Sequence, residues 1–216
     1  MKRTTFRRVG AAAAITLSLT AGLAACSEEE DTTASEDTSS ETTEEEPMDE
    51  EMDMDDPAAQ TYGPGCQAVP EDGDGSFVGM ATDPVATAAS NNPLLETLVT
   101  AVGAAELVDT LNSAEALTVF APTNDAFAAI PPADLEAVLA DKELLTSILT
   151  YHVVGEQIAP DALSGELETL NGATLTINGE GEAATVGTEE AQVLCGNIPT
   201  ANATVYVIDT VLMPPA

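Results

Sequence analysis

The amino-acid sequence predicts an α+β domain in which helices pack on an antiparallel sheet. Residues 83–151 place apolar side chains at helical spacing behind capping residues, whereas residues 170–213 alternate apolar residues with Thr around a hairpin-type turn. Hydrophobic residues make up 44% of the chain, but aromatic residues make up only 3%, so small aliphatic side chains must fill the core. The length of 216 residues suits one domain with additional segments.

The first predicted helices follow two proline-containing caps. Asp83-Pro84 and Asn92-Pro93 each pair a good N-cap residue with a proline in the first helical turn. These caps open the apolar segments 85–89 and 94–102. Helical spacing then continues up to Asn112 through Leu107, Val108 and Leu111.

Two further amphipathic helices are predicted in series. Pro132 opens the first, and its apolar residues are expected to face inward: Leu135, Val138 and Leu139. Asp141 can cap the second helix through its carboxylate. One face of that helix carries Leu144, Leu145, Ile148 and Leu149.

A short buried strand is predicted between these two groups of helices. Residues 117–122 form an apolar run that ends at proline, and Thr123 then caps a helical turn that reaches residue 130. Phe120, Phe127 and Tyr206 lie inside apolar runs. We therefore expect these three aromatic rings in the core rather than in a ligand site.

The remaining strands are predicted in the last quarter of the chain. Leu175 and Ile177 alternate with Thr ahead of the turn at residues 178–181, and residues 183–186 can return as the partner strand. Further strand-like runs occupy residues 193–195 and 204–213.

Residues 1–25 predict a bacterial lipoprotein signal peptide. Four basic residues near the start precede an uncharged run that suits an export signal and is too short for a spanning helix. The run ends in Leu23-Ala24-Ala25-Cys26, which matches the lipobox, the motif whose cysteine becomes the acylated first residue of the mature protein. We therefore expect lipid on Cys26 to hold the chain at the extracellular face of the cell membrane. The alternative is an ordinary secretion signal with a chance cysteine.

Residues 26–60 are predicted to form a disordered acidic tether. Residues 27–60 contain 16 acidic residues and almost no aliphatic or aromatic ones, so like charges repel and little apolar surface offsets chain entropy. Fully extended, this tether would span at most about 110 Å. Residues 48–56 place three methionines among carboxylates, a set that can bind copper(I) or calcium. We favour a solvated spacer and predict no metal site, because no fixed ligand spacing organises the segment.

The charge excludes several classes of function. The formal net charge is −33, and Lys142 is the only basic residue beyond position 8. A domain without Arg cannot neutralise phosphates by bidentate contacts, which argues against nucleic-acid binding, docking to anionic lipids and phosphoryl transfer. We expect a monomeric domain that uses no cofactor.

Cys66 and Cys195 remain once Cys26 carries lipid. An even number of cysteines in an exported chain favours a disulfide between them. In the chain-entropy model, a bridge across so long a loop contributes about 4 to 5 kcal/mol to stability. The alternative is a pair of buried free thiols, whereas a Cys/His metal site is excluded because too few such residues are present.

Three segments together resemble the fasciclin (FAS1) family. Residues 118–127 resemble its first conserved block, Leu149-Thr-Tyr-His-Val-Val154 is similar to its central Tyr-His motif, and residues 205–214 resemble its second block. The likeness spans roughly residues 76–216, and we assign residues 61–216 to one FAS1 domain. The block residues that match are Thr118, Phe120, Pro122, Thr123, Asn124, Phe127 and Asp209.

The resemblance implies a fold and a role. Fasciclin domains fold as a twisted β-sandwich or wedge with helices on one side, and they serve as extracellular adhesion modules without catalytic activity. Residues 89–93, 108–112 and 200–206 further resemble the branch formed by the secreted and surface-lipoprotein antigens of mycobacteria, in which the cysteine pair is a disulfide. This domain is far more acidic than that branch.

His152 is the only histidine and therefore the first candidate for chemistry. A general base needs an oriented nucleophile, for which Ser147 or Tyr151 would have to serve, and no Gly-x-Ser-x-Gly nucleophile elbow is present. We favour a structural role for Tyr151 and His152 at a helix end, and the family resemblance leaves an adhesion epitope as the alternative. Asp209 is expected deep in a strand with a structural role, where its carboxylate needs backbone amides, a hydroxyl such as that of Thr123, or His152 as a partner.

Two classes of function remain for this chain. The first is a non-enzymatic surface lipoprotein that presents one FAS1 domain to an extracellular protein or glycan. The second is a binding protein for a small lipid or carbohydrate. An apolar cavity of about 300 Å³ or more with a few convergent polar groups would favour the second class.

Overall fold

The structure is a computed structural model that describes residues 56–215. The predicted signal peptide, Cys26 and most of the predicted tether lie outside these residues. Short 3₁₀ helices occupy Pro57–Gln60, Pro64–Ala68, Pro93–Leu95 and Gly181–Ala183. The α-helices are α1 (Phe77–Thr82), α2 (Val85–Asn91), α3 (Glu96–Ala104), α4 (Val108–Ser113), α5 (Asn124–Ala128), α6 (Pro132–Ala140) and α7 (Lys142–Tyr151). None of these described helices is both long and apolar enough to span a bilayer.

The strands form one mixed sheet within the described residues. They are β1 (Leu117–Pro122), β2 (Val153–Val154), β3 (Gly165–Glu168), β4 (Thr174–Asn178), β5 (Thr185–Val186), β6 (Ala191–Pro199) and β7 (Ala203–Ile208). Their order is β2-β1-β7-β6-β5-β4-β3. The prediction of an antiparallel sheet is wrong for one pair of strands. Strands β1 and β7 are parallel, with Leu117 opposite Ala203 at one end and Pro122 opposite Ile208 at the other. The long excursion between the two strands permits that pairing, and every residue of both strands is buried.

The two ends of the sheet meet, so the sheet curls around an interior. Val154 of β2 bridges to Thr169, just beyond β3, and the Leu170 amide donates to the Val153 carbonyl at 2.7 Å. One core cluster therefore lies inside the curled sheet and contains Phe120, Tyr151, Leu175, Val186, Tyr206 and Leu212. A second cluster lies between the sheet and the helices and contains Leu98, Val102, Val119, Leu149, Val205 and Val207. Helices thus cover one face of an α+β wedge, as the sequence predicts.

The helix caps follow the prediction in three places and differ in a fourth. The Asn92 side chain accepts from the Leu94 amide at 3.0 Å and caps the 3₁₀ helix that begins at Pro93. The Thr123 hydroxyl accepts from the Ala126 amide at 3.2 Å, and the Asp141 carboxylate accepts from two amides at the start of α7. Asp83 does not cap α2. Two amide side chains from distant parts of the chain do so instead, as Asn202 accepts from Val85 and Asn112 accepts from Ala86, each at 2.9 Å.

Three other expectations need correction. Helix α6 contains no buried residue, and Leu139, expected inward, is 36% exposed. Leu144 is 42% exposed, because the inward face of α7 consists of Leu145, Ile148 and Leu149. Strand β7 ends at Ile208, so residues 209–213 are not a strand although Val211 and Leu212 are buried.

Candidate functional site

The Tyr-His motif lies at the C-terminal end of α7, where the chain turns into β2. His152 is the C-cap residue and is only 2% exposed. Its Nδ1 atom lies 2.8 Å from the Ile148 carbonyl oxygen, and its Nε2 atom lies 2.9 Å from the Leu212 amide nitrogen. An amide can only donate, so Nε2 accepts and the proton lies on Nδ1. Helix α7 is thereby tied to the C-terminal segment of the domain.

The environment of His152 keeps the imidazole neutral. Burial lowers its pKa from the ordinary 6.5 to about 4, although the hydrogen bond to Ile148 opposes this shift. Ser147 is not oriented by this ring, because the Ser147 hydroxyl accepts from the Asn171 side chain at 3.2 Å. The motif therefore lacks the contact between base and nucleophile that general-base catalysis requires.

Tyr151 points into the interior of the curled sheet. Its side chain is 3% exposed, and its hydroxyl donates to the Thr174 carbonyl of β4 at 3.3 Å. Burial, together with the charge of Glu189, raises the pKa of Tyr151 above its ordinary value of 10.0. Tyr151 thus connects α7 to the far half of the sheet, and neither residue of the motif offers its side chain to solvent.

The matching residues of the first block sit on β1 and hold neighbouring elements together. Thr118 is fully buried, and its hydroxyl donates to the Glu156 carbonyl at 2.7 Å and accepts from the Ile158 amide at 2.8 Å. Phe120 packs on Tyr206 with ring centroids 5.8 Å apart. Both rings are fully buried inside the curled sheet, which places them in the core as expected.

The block continues beyond Pro122, the buried last residue of β1. Thr123 caps α5, and Phe127 packs into the core between sheet and helices. The Asn124 side chain accepts from the Thr97 amide at 3.0 Å and donates to the Pro93 carbonyl at 2.8 Å. Asn124 therefore caps α3 from a different part of the chain.

Asp209 differs from its expected placement. It lies just beyond the end of β7, is only half-buried, and contacts neither Thr123 nor His152 through its carboxylate. Its Oδ1 atom accepts from the Gln192 amide and from the Thr210 hydroxyl, each at 2.9 Å. Two of the expected classes of partner, a backbone amide and a hydroxyl, are therefore present, and the amide contact joins the end of β7 to the start of β6.

A disulfide fastens the N-terminal part of the domain to β6. The Cys66–Cys195 bridge has an S–S distance of 2.02 Å and a Cα–Cα distance of 4.8 Å. Beside it, the backbones of Tyr62 and Gly196 exchange two hydrogen bonds, at 3.2 and 2.8 Å. Glycine suits position 196, because a Cβ atom there would lie 2.5 Å from the Tyr62 ring and the ring would have to shift.

Asn202 is a structural residue that sequence reasoning missed. Besides capping α2, its side-chain nitrogen donates to the carbonyls of Leu111 and Ala114, at 2.8 and 2.9 Å. One side chain thereby joins α2, the end of α4 and the turn before β7. The Asn-Ala-Thr triplet at residues 202–204 matches a glycosylation sequon, which is uninformative in an exported bacterial chain and gives no sign of this contact.

The described residues offer few places for a cofactor. Among them, no group of three or more His, Cys, Asp or Glu side chains is placed to hold a metal ion. The methionine-containing stretch of the predicted tether lies outside the described residues.

The described residues form two cavities of note. An apolar cleft of about 60 Å³ lies between the sheet and α2 to α4, and an open surface groove of about 640 Å³ runs past Asp56, Cys66 and Phe77.

Comparisons with known proteins agree with these motifs. The model of the fasciclin domain family matches residues 93–214. The cell surface glycolipoprotein MPB83 of Mycobacterium bovis is 46% identical over 214 residues, which cover 95% of this chain and 96% of that protein. The immunogenic protein MPB70 of Mycobacterium bovis is 50% identical over 167 residues, which cover 74% of this chain and 85% of that protein. A FAS1 domain pair from the insect cell adhesion molecule fasciclin I matches with a TM-score of 0.47 and 24% identity, covering 56% of this chain and 46% of that one.

Proposed function

The chain belongs to the fasciclin family, and from that premise we propose that it is a lipid-anchored surface protein that presents one domain for non-catalytic adhesion or recognition. The names of its relatives, a cell surface glycolipoprotein and an immunogenic protein, support exposure outside the cell. Residues 1–25 direct export, lipid on Cys26 holds the chain at the membrane, and residues 26–60 separate the domain, residues 61–216, from the bilayer.

One observation carries the non-catalytic part of the proposal. His152 is the only histidine, and both of its ring nitrogens are engaged by backbone groups in the interior. Chemistry that uses this imidazole would first have to break the contacts that join α7 to the C-terminal segment. The buried motif therefore supports the fold, and recognition falls to the exterior of the domain.

The negative charge of the exterior favours a protein or glycan partner over a phosphate-rich one. From residue 61 onward the chain carries 22 acidic residues against Lys142 alone, and Lys142 is already paired with Glu106. Phosphate-rich partners are repelled by such a surface. Like charge also opposes self-association, so the domain acts as a monomer.

A small ligand is the weaker candidate. The apolar cleft of about 60 Å³ is far below the roughly 300 Å³ at which pockets for whole small ligands begin. The larger groove is open to solvent rather than enclosed. Recognition through the surface therefore explains this fold better than enclosure of a lipid or carbohydrate.

The proposal is tested by displaying the full chain on lipid vesicles and measuring retention on extracellular-matrix proteins and glycans. Vesicles carrying acylated wild-type protein should be retained above bare vesicles on at least one of these surfaces. Cys26→Ser protein, which cannot be acylated, should remain in solution and confer no retention on vesicles. Equal retention of bare and protein-bearing vesicles on every surface would contradict the proposal.

A further inference from the structure

A narrow apolar cleft lies between the helices and the curled sheet. Val102 of α3 and Leu111 of α4 form one wall, while Val119 of β1 and Val153 of β2 form the other. Leu170, on the turn between β3 and β4, lies at its mouth. The volume of about 60 Å³ equals the space that about four to six water molecules would need.

Water is a poor occupant of this cleft, because the lining is almost entirely apolar and its polar side chains are His152, Thr150 and the exposed Thr110. The two ring nitrogens of His152, which also lines the cleft, are engaged by backbone groups. The Thr150 hydroxyl is likewise engaged, donating to the Thr146 carbonyl at 2.7 Å. Apolar cavities stay dry, and an engineered one of about 150 Å³ accepts benzene or xenon. This cleft has less than half of that volume, so it has room only for the end of an apolar chain.

The mouth of the cleft is apolar and partly open. Leu170 is 47% exposed and Val108 is 37% exposed, so two large aliphatic side chains that line the cleft also reach the surface. The backbone of Leu170 is fixed by its hydrogen bond to Val153, so the side chain covers the opening from a defined position. A slender chain can enter by displacing this one side chain.

The acidic residues near the cleft favour uncharged apolar ligands over negatively charged ones. Leu107 and Val108 line the cleft and stand between Glu106 and Asp109 in the sequence. Lys142, the single cation of the described residues, is paired with Glu106, which leaves the charge of Asp109 without a cation. A fatty-acid carboxylate would therefore meet negative charge with no free cation to bind it. We propose that the cleft binds the end of an uncharged hydrocarbon chain, such as that of a lipid alcohol or ester. This site is separate from the exterior surface that the proposed function uses.

The test is a titration of the full chain carrying Cys26→Ser, followed by the methyl resonances of the cleft. Addition of 1-octanol should shift the methyl signals of Val102, Leu111 and Leu170 in a saturable way. Octanoate, which has the same chain length and a negative charge, should bind at least ten-fold more weakly. Absence of saturable shifts at these methyl groups, or equal binding of the two compounds, would overturn the proposal.

Two matched variants locate the ligand. Ala89 lines the cleft, so Ala89→Leu should fill it and weaken octanol binding at least ten-fold. Ala104→Leu places the same side chain on an exposed position outside the cleft and should leave octanol binding unchanged. Unchanged affinity in Ala89→Leu would overturn the proposal. If Ala89→Leu does not fold, Leu170→Ser, which removes the apolar cover from the exposed mouth, should weaken binding instead, and unaltered binding would again be contradictory.

Retention of vesicles on surfaces tests the proposed function independently of octanol binding at the cleft. Vesicles that display acylated Ala89→Leu should be retained on surfaces as the wild type is. Loss of octanol binding with normal retention therefore supports the cleft without bearing on recognition, and failed retention of the wild type leaves the octanol result intact.

Discussion

Acid should destabilise the domain through His152. In the folded protein the pKa of this imidazole is about 4, whereas its ordinary value, which the unfolded chain retains, is 6.5. The unfolded state therefore takes up the proton first as the pH falls. Stability from the neutral histidine is complete above about pH 6.5 and is lost between about pH 6.5 and 4, by roughly 1.4 kcal/mol per pH unit and about 3 kcal/mol in total.

The carboxylates titrate in an overlapping range, so the effect is measured as a difference between two proteins. His152→Gln removes the titrating group and retains every carboxylate of the wild type. Urea unfolding followed by circular dichroism gives the free energy of unfolding of both proteins from pH 7 to pH 4. Relative to His152→Gln, the wild type should lose about 3 kcal/mol over this range. A difference that stays constant within about 0.5 kcal/mol would refute the assignment of a buried neutral imidazole.

Three further predictions concern the disulfide, the surface charge and the anchor. Replacing Cys66 and Cys195 by Ser should lower the melting temperature by more than about 5 °C, and an unchanged midpoint would contradict a stabilising bridge. Raising NaCl from about 10 mM to 1 M should raise the melting temperature, because screening weakens repulsion among the acidic residues. A midpoint independent of salt would show that these charges are spaced well enough not to matter. Mass spectrometry should find diacylglycerol on Cys26, and equal release of the wild type and Cys26→Ser into the medium would exclude acylation.

Local patterns in the sequence predicted the elements whose signals are local. Thr123 and Asp141 cap helices that begin within three residues of them, so their roles follow from neighbouring positions. The alternation of Leu175 and Ile177 with Thr likewise matches the alternating burial of β4. Such features depend on periodicity and capping, both of which a single sequence displays.

Contacts between distant parts of the chain escaped prediction. The amide of Val85 finds its cap in Asn202, 117 residues away, and no local pattern marks that pairing. The parallel pairing of β1 with β7 also depends on the whole intervening chain. Apolar residues beyond Ile208 suggested a longer strand, but Leu212 lies outside the strand, packs in the core cluster inside the curled sheet and donates its amide to His152. Apolar sequence there indicates burial and does not specify a strand.

For the motif residues, too, contacts within a helical turn were predictable from the sequence and contacts between distant residues were not. A structural role for His152 followed from its position at the end of an amphipathic helix, and its contact with Ile148 lies within one helical turn. Its second partner, Leu212, is 60 residues away. The depth of Asp209 was misjudged because β7 ends one residue earlier, at Ile208, which leaves Asp209 only half-buried.

We propose that the exterior of the folded domain recognises a partner while Tyr151 and His152 maintain the fold. The most direct test measures adhesion and stability on the same two proteins, wild type and His152→Ala. We predict that His152→Ala lowers the free energy of unfolding by about 1 to 3 kcal/mol, because the buried Leu212 amide loses its acceptor. Retention on the partner surface, corrected for the fraction of folded protein, should equal that of the wild type. A normal unfolding midpoint together with lost retention would contradict the account.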